Sequence, residues 1–232
     1  MALAACGGEA GPNPPRALPG EAPSRVAGGS NGAAVPTAIP SDAPLVVVLG
    51  DSIAAGLHLS ADEAFPAVLQ REMALAARPF RLVNAGTSGD TTAGGLRRLD
   101  WILKQRPDVL VVELGGNDGL RGQDLLDVEK NLREIVARGK AAGCAVILLG
   151  VQIPTSYGAD YAGRFQAIYP RVALDLGVAL VPDFLAGVGG VPDMNLEDGL
   201  HPTAAGHRRI AENVEPVLVE VLGLRTTTQA PR

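Results

Sequence analysis

Short, mostly apolar runs recur along this chain at Leu45–Leu49, Phe80–Asn84, Val109–Leu114, Ala145–Leu149 and Val178–Val181. Their length, Val content and lack of strict alternation predict strands buried on both faces. Longer stretches lie between them, and the pattern predicts helices over Ala61–Ala76, Thr92–Arg106, Leu125–Ala142, Tyr161–Leu176 and Thr203–Leu222. Pro202 stands near the start of the last helix and Gly223 follows its last apolar residue, as a stop signal does. Strand and helix alternate five times, which predicts an α/β class chain: a three-layer α/β/α sandwich around a five-stranded parallel sheet. Ligands of such folds sit outside the carboxyl ends of the strands.

Residues 1–43 break this pattern. They hold 11 Ala, 7 Gly and 7 Pro and no aromatic residue, so they cannot bury enough surface to offset the entropy of ordering. The expected organisation is a flexible tail over 1–43, one domain over 44–224 and a short C-terminal tail over 225–232. A 47% hydrophobic content supplies a core, and 3% aromatics means that Leu, Val and Ala must make most of it. The net charge of −5, without a basic block, gives a nucleic-acid partner no electrostatic support. No apolar run reaches the length of a transmembrane helix.

The two cysteines read as unrelated. Cys144 opens an apolar run and behaves as a small hydrophobe, so neither a disulfide nor a cysteine-based metal site is expected. Leu3-Ala4-Ala5-Cys6 resembles a bacterial lipobox without the apolar segment that should precede it. The start therefore leaves two readings open: a truncated, lipid-anchored exported protein, or chance in an Ala/Gly-rich tail.

Candidate chemistry lies at the strand ends. The first strand runs into Gly50-Asp51-Ser52, where a serine at a strand-to-helix turn is either an exposed nucleophile or a helix N-cap. Ala54 excludes the G-x-S-x-G elbow, and no Gly-Lys-Ser/Thr follows to make a phosphate loop. Among three histidines, His201 stands three residues after Asp198, in a turn made by Gly199 and ended by Pro202. An aspartate so placed can accept the imidazole N–H and fix its tautomer. His58 and His207 read as solvent-facing or structural, with His58 able to approach the cleft. Turns at Asn84–Thr91 and Gly115–Gly119 bring glycine N–H groups and the Asn117 amide toward the same edge as candidate oxyanion donors. For Gly86, Gly115 and Gly116 the favoured reading is that they simply make tight turns.

Taken in order, Gly50-Asp51-Ser52, Ser88-Gly89-Asp90-Thr91, Gly115-Gly116-Asn117-Asp118 and Asp198-x-x-His201 resemble the block pattern of the GDSL/SGNH hydrolases. Val112–Gly122, Ile153–Gly158 and Ala167–Pro170 are similar to the bacterial periplasmic thioesterase/protease/lysophospholipase and arylesterase subgroup. The resemblance covers about residues 44–222 and implies a flavodoxin-like fold. It places the nucleophile on Ser52, its acid and base partners on Asp198 and His201, and the oxyanion donors on Ser52, Gly89 and Asn117. Substrate contacts would fall on Asp51, Gly119, Leu120, Arg121, Ile153, Pro154 and Tyr157, with Gly119–Gln123 a mobile loop over acyl chains. It implies a monomeric enzyme acting on small to medium acyl esters or thioesters without metal or cofactor. A carbohydrate or lipid deacylase with the same mechanism, a non-catalytic small-ligand binder and a structural surface lipoprotein stand as alternatives. The glycine-rich segment Leu185–Asn195 departs from the family pattern and leaves substrate preference open.

Overall fold

In a computed structural model, which describes residues 38–228 and side chains as far as Gly223, each of the five apolar runs forms a strand. The strands are β1 (Leu45–Gly50), β2 (Arg81–Gly86), β3 (Val109–Glu113), β4 (Ala145–Leu149) and β5 (Ala179–Val181). All pair in parallel, in the order β2-β1-β3-β4-β5. Val47 sits between Val83 and Leu110, and Leu148 between Val112 and Leu180. Val47, Leu49, Val109, Leu110, Val112, Ile147 and Leu149 have no exposed surface, because helices cover both faces of the sheet. The edge strands differ: β2 carries exposed Arg81 and Asn84, and β5 has three residues. Charge and shortness both discourage edge-to-edge pairing.

The helices are α1 (Ser52–Ala55), α2 (Phe65–Leu75), α3 (Thr92–Leu103), α4 (Gly116–Leu120), α5 (Leu125–Ala141), α6 (Ala159–Gln166), α7 (Ile168–Leu176) and α8 (Ala204–Thr228). Helix α2 packs on α8, and α5 packs on both α3 and α7. Leu, Val and Ala dominate the core as expected, yet all four phenylalanines and Tyr169 are buried in it. Trp101 is exposed.

Several expected elements take different bounds. The first long helix starts at Phe65 instead of Ala61, with Pro66 in its first turn, where a missing N–H costs nothing. Tyr161–Leu176 is two helices, divided at Ala167. Pro170 lacks the N–H that would close on Gln166, and its ring crowds that carbonyl, which disfavours helical pairing across Ala167. The stretch expected as a loop over Gly119–Gln123 begins as the last turn of α4. Gly223 does not stop α8, which continues to Thr228; a glycine without positive φ only weakens a helix. Residues 225–228 thus belong to α8, while 229–232 and the whole segment 1–37, with Cys6, lie outside the described residues. Cys144 is buried at the start of β4. Among the described residues no helix is long and apolar enough to cross a membrane.

Candidate active site

The strand order reverses between β1 and β3, and the crevice at such a switch point is where parallel sheets bind ligands. Both strands end there in chemistry-bearing turns, Asp51-Ser52 after β1 and Gly116-Asn117 after β3. Close approach makes the glycines necessary. A Cβ on Gly50 would fall 2.4 Å from the Ala54 Cβ, and one on Gly86 would fall 2.3 Å from the Ala55 amide nitrogen. Gly86 therefore serves packing beneath α1, whereas Gly115, at φ +115°, makes a tight turn. Arg98 ties the ends of β1 and β2 together, donating to the carbonyls of Gly50 (2.8 Å) and Ala85 (2.6 Å) while its Nε pairs with Asp90 (2.7 Å).

Ser52 is the first residue of α1, with only 8% of its surface exposed. It is not the N-cap. Asp51 fills that role, its Oδ1 accepting from the Ile53 N–H at 3.0 Å. The loop before α8 brings His201 to the serine, with Nε2 2.9 Å from Ser52 Oγ. His201 Nδ1 lies 2.6 Å from Asp198 Oδ2, and the other Asp198 oxygen accepts the N–H groups of Leu200 and His201, both at 2.9 Å. Those backbone and imidazole hydrogen bonds hold the Asp198 carboxyl well below the usual carboxylate range. An ionised carboxylate can only accept, so Nδ1 carries the imidazole proton and Nε2 is free to accept from the Ser52 hydroxyl. Asp90 and Asp118 are engaged elsewhere, Asp90 with Arg98 and Asp118 with Thr92 (2.9 and 2.6 Å).

The three expected oxyanion donors come from different turns, and of their residues Ser52 and Asn117 line the cavity while Gly89 does not. Among the described residues the Ser52 and Gly89 N–H groups have no protein acceptor. The Asn117 amide gives one N–H to Asp51 Oδ2 at 3.1 Å, which leaves its second N–H available. The cavity in front of Ser52 holds about 460 Å³ and is walled by Ile53, Leu120, Val151, Ile153 and Leu185, with His201 at its edge. Of the expected substrate contacts, Asp51, Leu120, Ile153 and Pro154 line it, and Gly119, Arg121 and Tyr157 do not. Gly119 is packed behind the wall, where a Cβ would strike Ile153. Tyr157 sits half-exposed on a one-turn 3-10 helix, and Arg121 reaches the neighbouring turn instead. The glycine-rich segment contributes Leu185, Ala186, Gly187, Gly189 and Gly190 to the wall.

Glu113 is a site residue that sequence reasoning missed. Buried at the end of β3, it accepts from the N–H groups of Asp51 (3.0 Å) and Ala54 (3.2 Å), on either side of Ser52 in sequence. Burial, reinforced by the nearby Asp51 charge, pushes its carboxyl well above the ordinary value. Burial likewise raises Asp51 to about 6, against the opposing pull of the Ile53 N–H and the Asn117 amide. A lone glutamate ending an otherwise apolar strand was the signal available. The other histidines also resolve. His207 is buried and its Nδ1 accepts the Phe65 N–H at 3.0 Å, capping the start of α2. His58, exposed and at φ +69°, stands edge-on to the His201 ring at 6.3 Å. Among the described residues no group of three or more His, Cys, Asp or Glu is placed to hold a metal ion.

A parallel α/β sandwich with a Ser–His–Asp chain at its switch point has the make-up of a serine hydrolase. Residues 48–209 match the GDSL-like lipase/acylhydrolase family, and the chain belongs to that family of ester-bond hydrolases. It is 45% identical over 178 residues to the esterase TesA of Pseudomonas aeruginosa, covering 76% of this chain and 89% of that one. It is 40% identical to thioesterase 1/protease 1/lysophospholipase L1 of Escherichia coli, covering 72% and 79%. A crystal structure of TesA superposes with a TM-score of 0.74 at 45% identity, covering 77% of this chain and 99% of that one.

Proposed function

We propose that this protein hydrolyses small to medium acyl esters and thioesters through an acyl intermediate on Ser52. The observation that carries the reading is the continuous contact from Asp198 to His201 to Ser52, at 2.6 and 2.9 Å. As Ser52 Oγ bonds to the acyl carbon, His201 Nε2 takes the hydroxyl proton and Asp198 stabilises the resulting imidazolium. Negative charge gathers on the former carbonyl oxygen, toward the N–H groups of Ser52 and Gly89 and the second N–H of Asn117. Collapse of that intermediate breaks the bond to the leaving group, which receives the proton from His201. Water then repeats the sequence on the acyl-serine and releases the acid.

The apolar wall of Ile53, Leu120, Val151, Ile153 and Leu185 suits an acyl chain, and its volume is within the range of small-molecule sites. The names of the relatives, an esterase and a thioesterase/lysophospholipase, support the same substrate class. A panel of nitrophenyl esters and acyl-thioesters of graded length, run on the protein and on Ser52→Ala, tests the reading. Turnover by the first and loss in the second is expected; equal turnover by both would refute it.

We also infer that the enzyme works outside the cytoplasm, tethered by the tail over 1–43 and anchored through a lipid on Cys6. The lipobox-like Leu3-Ala4-Ala5-Cys6 and the tail composition support this. Incorporation of labelled palmitate that vanishes in Cys6→Ala would bear it out, and equal labelling of both would overturn it.

A further inference from the structure

Asn117 and Gly89 come from different turns, and Arg121 joins them. Its Nη2 donates to Asn117 Oδ1 at 3.1 Å and to the Gly89 carbonyl at 3.2 Å. Arg121 caps α4 four residues after Asn117, so a single helical turn sets the span of this bridge. A carboxamide can turn over, exchanging its oxygen and nitrogen. Here the two ends of the Asn117 amide meet opposite partners: the Asp51 carboxylate takes one N–H, and the Arg121 guanidinium donates to the oxygen. Turning the amide over would set donor against donor on one side and acceptor against carboxylate on the other. On the Gly89 side, the cation holds the turn by the Gly89 carbonyl, one peptide plane beyond the Gly89 N–H, and so restrains the residue that carries that donor.

We infer that Arg121 is a positioning residue, locking the Asn117 amide and the Gly89 turn in the one arrangement that aims both donors at the reacting carbonyl oxygen. The inference rests on the proposed oxyanion role of Asn117 and Gly89. It assigns Arg121 to the transition state rather than to the acyl chain, in keeping with its position outside the cavity wall. Binding of the ground-state ester draws little on the oxyanion donors, so their misalignment lowers kcat and spares KM.

The test is a double-mutant cycle on the full chain with a short, uncharged nitrophenyl ester, using Arg121→Met, Asn117→Ala and the pair. Arg121→Met keeps the aliphatic stem and removes the donor. Arg121 is exposed, so the variant should melt within a few degrees of the parent. Its kcat should fall about tenfold with KM changed less than about twofold, and Arg121→Lys should recover part of the loss. In the Asn117→Ala background the same substitution should cost only about threefold, the remainder acting through Gly89. An undiminished tenfold loss in that background, an unchanged kcat, or a loss confined to KM would overturn the inference while leaving the oxyanion hole intact. If Asn117→Ala itself kept full kcat, the oxyanion reading would fail and the inference with it.

Discussion

Acid should destabilise this protein in part through one residue remote from the chemistry, His207. The residue is only 1% exposed, and its ring lies nearly parallel to the Phe65 ring at 6.4 Å. Its Nδ1 accepts the Phe65 N–H, so the proton that would charge the ring has no room at that atom. Burial therefore pushes His207 from its ordinary 6.5 down to about 4; nearby Glu63 opposes this and His201 adds to it. The sign follows from which state takes the proton. Between pH 6.5 and about 4 the unfolded chain binds a proton that the folded protein refuses, so stability falls as pH falls through that window. Below about 4 both states are protonated and the loss from this residue stops. At about 1.4 kcal/mol per pH unit, the window corresponds to about 3 kcal/mol. The raised carboxyls of Asp51 and Glu113 act in the opposite direction, gaining protons in the folded state first. A difference measurement removes them. His207→Gln can still offer an acceptor to Phe65 but cannot titrate, and should be roughly 1–3 kcal/mol less stable at neutral pH. Urea unfolding of both proteins at about pH 7, 5.5 and 4 should show the difference shifting by about 3 kcal/mol in favour of the variant toward acid, so that by about pH 4 the variant equals or exceeds the parent. Parallel stability curves across that range would refute the assignment.

Two further perturbations address the site. Asp198→Asn should lower kcat by about 10³–10⁴-fold, because the amide favours the wrong imidazole tautomer, and steady-state kinetics on a short ester would show it. Unchanged turnover would mean that another group orients His201, although Asp90 and Asp118 are both committed elsewhere. Ile153 is buried in the cavity wall proposed to receive the acyl chain, so Ile153→Ala should shift the preferred ester toward longer chains and Ile153→Phe toward shorter ones. Both should retain hydrolysis of the shortest ester, and an unchanged chain-length profile would place the acyl group elsewhere.

Much of the site was legible because strands buried on both faces leave continuous apolar runs, and the turns that follow them carry Ser52, Gly89 and Asn117. Asp198 and His201 were legible as a pair because three residues of turn bring their side chains together locally. What escaped depends on partners far apart in sequence. Nothing near Glu113 announces that it receives the Asp51 N–H, 62 residues away, and His207 finds Phe65 only through the packing of α8 on α2. Periodicity also carried one helix across Ala167, where the backbone constraint of Pro170 outweighs the apolar pattern. Arg121 read as part of an acyl-covering loop because α4, which turns it back toward Gly89, is too short to show a helical period.

The proposed chemistry requires that Ser52 become acylated during turnover. Rapid mixing with a nitrophenyl ester, quenching in acid within the first turnover and intact-mass analysis would detect the adduct. A mass increase of one acyl group is expected, mapped by peptide sequencing to Ser52, absent from Ser52→Ala and decaying at the rate of ester hydrolysis. An acyl group found on another residue, or full turnover by Ser52→Ala with no adduct at any time, would contradict it.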